Sequence, residues 1–242
     1  MAEEMNETER YYREAINDPY KCMETVKKAP WSIRYAKEQT LELCMEAVQN
    51  DGEVLAYVKE QTPEICMAAV KNSGWALEYV KEQTSDICMV AVNSNGLALK
   101  YVKEQTPEIC MAAVNSNGLA LEYVKEQTPE ICMAAVQENF RAIRFVKEQT
   151  PEVCMTAVNE SAKALQYIEH QTPEMFIAAM KHDSRAVNYI SEECAKSLIN
   201  NVEKRISNGQ AVKPEEYYAY QNLTAELEPI NSEVDMNEDF EM

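Results

Sequence analysis

The sequence predicts an all-α fold: an α-solenoid of about eight 22-residue two-helix repeats with polar terminal caps. Three observations predict it. The phrase T-P-E-I-C-M-A-A-V, or a close variant, returns every 22 residues, keeping Cys22, Cys44, Cys66, Cys88, Cys110, Cys132 and Cys154 in register, and Thr40, Thr62, Thr84, Thr106, Thr128, Thr150 and Thr172 likewise. A fixed period of that size marks stacked supersecondary units. Threonine, proline and glutamate in that order are a helix N-cap, a first-turn proline and an acid placed to suit the helix dipole. The apolar residues that follow are spaced for helices.

Residues 1–17 read as a capping helix whose Tyr11, Tyr12 and Ile16 cover the first repeat. Asp18-Pro19 stands where later copies have Thr-Pro, so it is expected to cap the first repeat helix. In the copy opening at Thr106, Ile109, Cys110, Ala113 and Val114 share one face of the first helix, and Met111 and Ala112 widen it. A helix apolar over most of its circumference belongs in the interior. Alanine recurs at 47, 69, 91, 113, 135, 157 and 179, small enough for helices to approach closely. Gly52, Gly74, Gly96 and Gly118 then read as left-handed helix stops. The second helix, LALEYVKEQ in this copy, is expected to run two to three turns. Its Ala120, Leu121, Tyr123 and Val124 face inward, while Glu122, Lys125 and Glu126 face out. Neither helix is long enough to be stable alone, so stacking must supply the stability.

Later copies drift. Phe140, Ala162 and Ser184 replace the glycine, and Phe176 replaces a cysteine. Cys194 falls at the threonine position of a last partial copy, whose helix carries Asn200 and Asn201 in place of core alanines, as a polar cap requires. The expected organisation is a capping helix at 1–17, the array at 18–202, capping helix or helices at 203–228, one of them folding back, and an acidic disordered tail at 229–242.

Formal charge is −18, of which residues 1–17 hold −3, 203–242 hold −7 and the array −8. That balance argues against general nucleic-acid binding, which needs a basic footprint. No run of about 18 apolar residues exists to span a bilayer. The opening MAEEMNETER lacks the apolar stretch of a secretory signal. Seven of the eight cysteines are copies of one repeat position, which with the missing signal points to reduced thiols in a cytoplasm. Stacked helices sit about 8–10 Å apart. That is too far for a disulfide, which needs Cα atoms about 4.4–6.8 Å apart. It is also too far for a shared zinc site.

Within an array each repeat position becomes a column. The uniform Ile, Cys, Ala, Val, Leu and Tyr columns read as core. The Lys-Glu-Gln columns form parallel charged stripes, read either as a solvated face or as a polar binding surface, and the glutamines either face water or bond across repeats. The column opening the second helix varies where its neighbours do not: Trp31, Glu53, Trp75, Leu97, Leu119, Arg141, Lys163, Arg185. Three positions on, the outward column includes Arg34, Glu78, Lys100, Glu122 and Arg144. Ordinary divergence of a duplicated array is the plainer account. The sharper one is that Trp31, Arg34, Trp75, Leu97, Leu119, Arg141, Arg144, Lys163 and Arg185 contact a partner, since Trp and Arg are the residue types enriched at hot spots.

Chemistry is not legible. His170 and His182 do not recur with a nucleophile, and no phosphate-loop, dinucleotide or zinc-protease motif is present. No catalytic, cofactor or metal residues are predicted.

The phrases KNSGWALEYV, NSNGLALKYV and NSNGLALEYV, each beside a helix ending C-M-A-A-V or C-M-V-A-V, resemble a helical-repeat family, the domain of unknown function forty-one sixteen, found in bacterial and large-virus proteins. The resemblance covers roughly 18–202; the strict T-P-E cap and shorter link depart from the family's longer form. It implies helical repeats and no activity. The reading is therefore a cytoplasmic, non-enzymatic scaffold or adaptor whose partner is another protein. The alternatives are an acidic virus- or phage-type inhibitor of a host nucleic-acid-handling or defence protein, and a sponge for a small anionic ligand or nucleotide.

Overall fold

Each threonine of the repeat opens an α-helix of ten residues. In the computed structural model, which describes residues 7–234 and side chains as far as Ala225, the chain forms two units, Met1–Gln127 and Thr128–Met242. The first contains α1 (Glu7–Ala15), α2 (Cys22–Lys28), α3 (Leu41–Asn50), α4 (Pro63–Asn72), α5 (Ser85–Ser94) and α6 (Pro107–Ser116). The second contains α7 (Pro129–Glu138), α8 (Pro151–Glu160), α9 (Pro173–His182), α10 (Glu192–Ser207) and α11 (Pro214–Val234). The fold is all-α with a 22-residue recurrence, and no strand occurs among the described residues. Thr62 Oγ1 accepts the Ile65 N–H at 3.4 Å, and Thr40, Thr84, Thr106, Thr128, Thr150 and Thr172 cap in the same way. Ile65, Cys66, Ala69 and Val70 are buried on α4, and neighbouring α-helices pack through their equivalents.

The second helix is not the two-to-three-turn α-helix that the sequence suggests. It is a six-residue 3-10 helix, Gly74–Tyr79 in the copy carrying Trp75, and Val80 beyond it is already extended. Six residues at about 2.0 Å each span about 12 Å, close to the 15 Å or so of the ten-residue α-helix alongside. In a three-residue turn, positions i and i+3 lie over one another. Ala76, Leu77 and Val80 therefore face inward and are buried, while Trp75 and Glu78 share the outer edge.

The glycines are not left-handed helix stops either. Gly209 alone among the described residues has a positive φ. Gly74 is glycine because the next repeat comes too close: a Cβ there would lie 2.6 Å from the Ala91 carbonyl oxygen. Gly52 and Gly96 face the Ala69 and Ala113 carbonyls in the same way. The alanine and glycine columns are thus two halves of one contact.

What joins consecutive repeats is the glutamine ahead of each cap. Gln61 Nε2 donates to Leu55 O in its own repeat (3.3 Å) and to Tyr79 O in the next (3.0 Å), while its Oε1 accepts the Lys81 N–H at 3.0 Å. Gln39 and Gln83 repeat this in the first unit, Gln149 and Gln171 in the second. The glutamines do bond across repeats. Two lysines of this stripe bond backbone: Lys81 and Lys103 Nζ each donate at 2.8 Å to the carbonyl 22 residues back, Lys59 O and Lys81 O.

The ends use the same contact. Asn17 stands 22 residues before Gln39; its Nδ2 donates to Tyr35 O (3.0 Å) and its Oδ1 accepts from Lys37 N–H (2.9 Å). Tyr12 packs edge-on to Trp31 with centroids 4.9 Å apart and Ile16 is buried, but Tyr11 stays 65% exposed, its ring edge-on to Tyr12 at 5.4 Å. Asp18 is not a helix cap; it accepts the Tyr20 N–H within a turn, and α2 begins later, at Cys22. At the other end Ser191, not the residue at 194, caps α10, because the linking residues Lys-Glu-Gln are missing there; Cys194 is buried three positions into the helix. α11 folds back onto α9 and α10, burying Ala219 and Leu223, and Arg205 bridges to Glu216 at 2.7 Å. Its backbone continues to Val234, past the expected limit of 228; the remainder of the expected disordered tail, 235–242, lies outside the described residues.

Two substitutions test this account in opposite directions. Ser32 is fully buried in the place of Val54 and Ala76, and its Oγ has no partner among the described residues, so Ser32→Ala should raise stability by about 1 kcal/mol. Gln83→Ala removes the bonds to Tyr101 O and Lys103 N–H and should lower it by about 2–3 kcal/mol. Urea midpoints followed by helicity check both; an unmoved midpoint for Gln83→Ala would mean that water replaces the amide.

Candidate interaction faces

Stacked 3-10 helices set their outer edges side by side, and in each unit this edge carries the variable column. In the first unit Trp31 and Arg34 are drawn into the N-terminal cap. Trp31 lies against Tyr12, and the Arg34 guanidinium sits 5.0 Å from the Trp31 ring centroid and 4.7 Å from that of Tyr35 while bonding Glu9 at 3.3 Å. Trp75 is 36% exposed, its ring edge-on to Tyr101 at 6.0 Å. Leu97 and Leu119 follow along the edge, both half-buried. The result is an open apolar strip of Trp75, Leu97 and Leu119 flanked by the exposed acids Glu53, Glu78 and Glu122. Partial burial, with Glu78 and Glu53 nearby, pushes the Tyr79 hydroxyl above the usual tyrosine range; the Glu78 carboxylate does the same to Tyr101.

In the second unit the edge is cationic. Arg141 lies 4.8 Å from the Phe140 centroid and Arg144 4.6 Å from that of Phe145. Lys163 is exposed on the next 3-10 helix, Ala162–Tyr167. Arg185, on Ser184–Tyr189, is forked onto Asp183 at 2.9 Å, which holds that carboxyl below the usual range. The sequence-predicted residues thus fall into three settings: Trp31 and Arg34 in a cap contact, Trp75, Leu97 and Leu119 in an apolar strip, and Arg141, Arg144, Lys163 and Arg185 in a basic row.

A further face was assigned to the interior and is not there. Met67 and Ala68 are half-exposed on α4, as are Met45 on α3, Met89 and Val90 on α5, and Met111 and Ala112 on α6. With Ile, Cys, Ala and Val buried at i, i+1, i+4 and i+5, positions i+2 and i+3 must point away at about 100° per residue. That signal was present in the spacing; methionine's apolar character concealed it.

The cysteines form no site. All eight are free; Cys44, Cys66, Cys88, Cys110, Cys132, Cys154 and Cys194 are buried, and desolvation pushes their thiols up, Cys194 to about 11. Cys66, Cys88 and Cys110 Sγ donate to the glutamine Oε1 that staples the repeat, at 3.6–3.7 Å. No metal-binding group of three or more His, Cys, Asp or Glu occurs among the described residues, and no described helix is long and apolar enough to cross a membrane. His170 and His182 are both exposed, on different elements.

A family model matches part of the chain. A domain of unknown function, DUF4116, fits residues 40–84, 62–106, 84–128 and 106–150, four overlapping copies each offset by one repeat. No curated protein and no solved structure matches the chain.

The thiol shifts predict an alkaline limit. A thiol whose folded-state pKa is raised stays protonated while the unfolded chain ionises, so its stability contribution is intact below pH 9 and lost as pH rises through 9 towards 11 at Cys194. Urea midpoints should therefore fall as pH rises from about 9, the ordinary thiol value, towards 11, and iodoacetamide should label half-buried Cys22 well before the other seven. Uniform labelling of all eight in the folded chain would contradict the burial.

Proposed function

Residues 40–150 belong to the DUF4116 family of helical repeats, which brings no assigned activity, and on that footing we propose that the chain is a non-enzymatic interaction module, a scaffold or adaptor whose partner is another protein. The observation that carries this reading is the contrast between columns in the first unit. Most uniform columns there are committed to the fold: Ile, Cys, Ala, Val and Leu are buried, Thr caps, Gln staples, and Lys59, Lys81 and Lys103 bond the preceding repeat, while the uniform methionines stay half-exposed and the linking glutamates exposed. The column that varies is the one with side chains to spare, and at Trp75, Leu97 and Leu119 it exposes apolar surface in a row.

An apolar strip rimmed by charge is what a protein-binding surface looks like. A small-molecule site would need a concave pocket with converging polar groups. Here the polar groups do not converge, because each repeat presents the same edge in the same direction. Eight free thiols, seven of them buried, fit a reducing compartment, the cytoplasm.

The test is an affinity capture from lysate of the source cells, comparing wild type with the triple variant Trp75→Ala, Leu97→Ala, Leu119→Ala. Trp31 is left alone because it packs beneath Tyr12. A protein retained by wild type and lost by the variant, with far-UV circular dichroism unchanged, is the expected result. Identical capture by both would remove the strip from consideration, and capture of nothing by wild type would count against the adaptor reading.

A further inference from the structure

The first unit already holds one guanidinium on its 3-10 edge. Arg34 rests 5.0 Å from the Trp31 ring centroid, 4.7 Å from that of Tyr35 and 5.7 Å from that of Tyr57 in the following repeat. It also donates to Glu9 at 3.3 Å and to the Tyr35 hydroxyl at 2.7 Å. Three rings and a carboxylate make a seat for a cation, because ring faces are negative and the acid matches the charge. Two repeats on, the same three rings return as Trp75, Tyr79 and Tyr101. Trp75 stands edge-on to Tyr101 at 6.0 Å, as Trp31 does to Tyr35 at 6.2 Å. The residue in the place of Arg34 is now Glu78. The aromatic set is kept, the built-in cation is gone, and an acid stands where it was rooted.

We propose that the edge at Trp75, Tyr79 and Tyr101 receives an arginine side chain of the partner, in the place that Arg34 fills in the cap. The inference rests on reading the Trp75 strip as a protein-binding surface, and it names the chemistry of what binds there. Trp75 and Glu78 are exposed and both tyrosines half-buried, so a guest can reach the rings. Glu53 and Glu78 hold the Tyr79 hydroxyl above its usual range and Glu78 does so to Tyr101, which sets both acids around the rings. Neither acid takes part in an ion pair among the described residues. Lys100, in the column of Arg34 and Glu78, lies 5.3 Å from the Tyr101 centroid, so that ring already draws a cation, yet the two carboxylates stay unmatched. Arginine suits the place better than lysine. Its planar guanidinium lies on a ring while its N–H edge turns to a carboxylate, as Arg34 does with Glu9, whereas an ammonium is a point charge that holds its water. Leu97 and Leu119, next along the edge, would take apolar residues beside that arginine.

The chain has two tryptophans, one in each setting, so their indole N–H signals in the nitrogen-15-labelled full chain report on both. The probe is the blocked tripeptide acetyl-Gly-Arg-Gly-amide. Its addition should shift the Trp75 indole signal saturably and leave that of Trp31 in place, because Arg34 fills the equivalent seat. The same peptide with citrulline, the neutral isostere, should move neither signal, and the lysine peptide should bind more weakly than the arginine peptide. Glu78→Gln should weaken arginine-peptide binding about fivefold, the loss of one exposed ion pair. Arg34→Gln should open the cap seat, so that the Trp31 signal begins to respond; circular dichroism checks that this variant stays folded. A Trp75 signal that ignores the arginine peptide would overturn the proposal, as would equal shifts from arginine and citrulline or from arginine and lysine. Tighter binding of free arginine than of the blocked peptide would overturn the assignment to a protein side chain. Capture of a partner through the strip stands or falls separately, since that experiment does not use this probe.

Discussion

A repeat of 22 residues cannot hold itself together, and the primary amide of one glutamine joins it to the next. Gln61 donates both amide hydrogens, one to its own repeat and one to the following repeat, and accepts the backbone N–H of Lys81. Its backbone partners lie where the chain leaves a 3-10 helix and turns extended, at a point where neither helix nor sheet supplies their bonds. Buried or half-buried peptide groups without partners are expensive. One side chain in each repeat removes that cost on both sides of the joint. Asn17 provides the same three bonds from a shorter side chain where no earlier repeat exists.

The joint dictates which positions are free to change. Glycine and alanine are fixed by close approach of backbones, since a Cβ at Gly74 would collide with the Ala91 carbonyl. Cysteine is fixed as a small buried side chain whose Sγ–H can reach the stapling glutamine. The 3-10 helix, by turning in three residues instead of 3.6, lines up its second and fifth residues on the outer edge, and there no structural duty restrains them. Variation at Trp75, Leu97, Leu119, Arg141 and Lys163 follows from that freedom, and so does the opportunity to bind. The apolar strip of one unit and the cationic row of the other are two outcomes at one column.

The N-caps, the buried α-helical faces and the repeat boundaries were legible because each depends on residues within about one turn of one another, as Thr62 and the Ile65 N–H do. Three local readings failed for a shared reason. The glycines were read as left-handed turns because that is glycine's commonest local use, whereas their neighbour is a carbonyl of the next repeat. Met111 and Ala112 were read as widening the buried face because they are apolar, although their angular position leaves them half-exposed. Cys194 was placed by counting 22 from the previous threonine, but the missing link residues moved the cap to Ser191. The candidate interface residues share one edge of the 3-10 helices, which the column pattern showed; it could not show that Trp31 and Arg34 were already engaged by Tyr12 and Glu9.

By itself the sequence determined the architecture: a 22-residue period, an opening cap and an apolar α-helix, since periodicity and capping are written in neighbouring residues. Tertiary structure decided the rest. It made the second helix a 3-10 helix that spans its partner's length in six residues, turned a polar glutamine into the joint between repeats, and sorted one variable column into cap contact, apolar strip and cationic row. These depend on which groups lie 18 to 22 residues away along the chain but only a hydrogen bond apart in space, a proximity that exists only once the repeats have stacked.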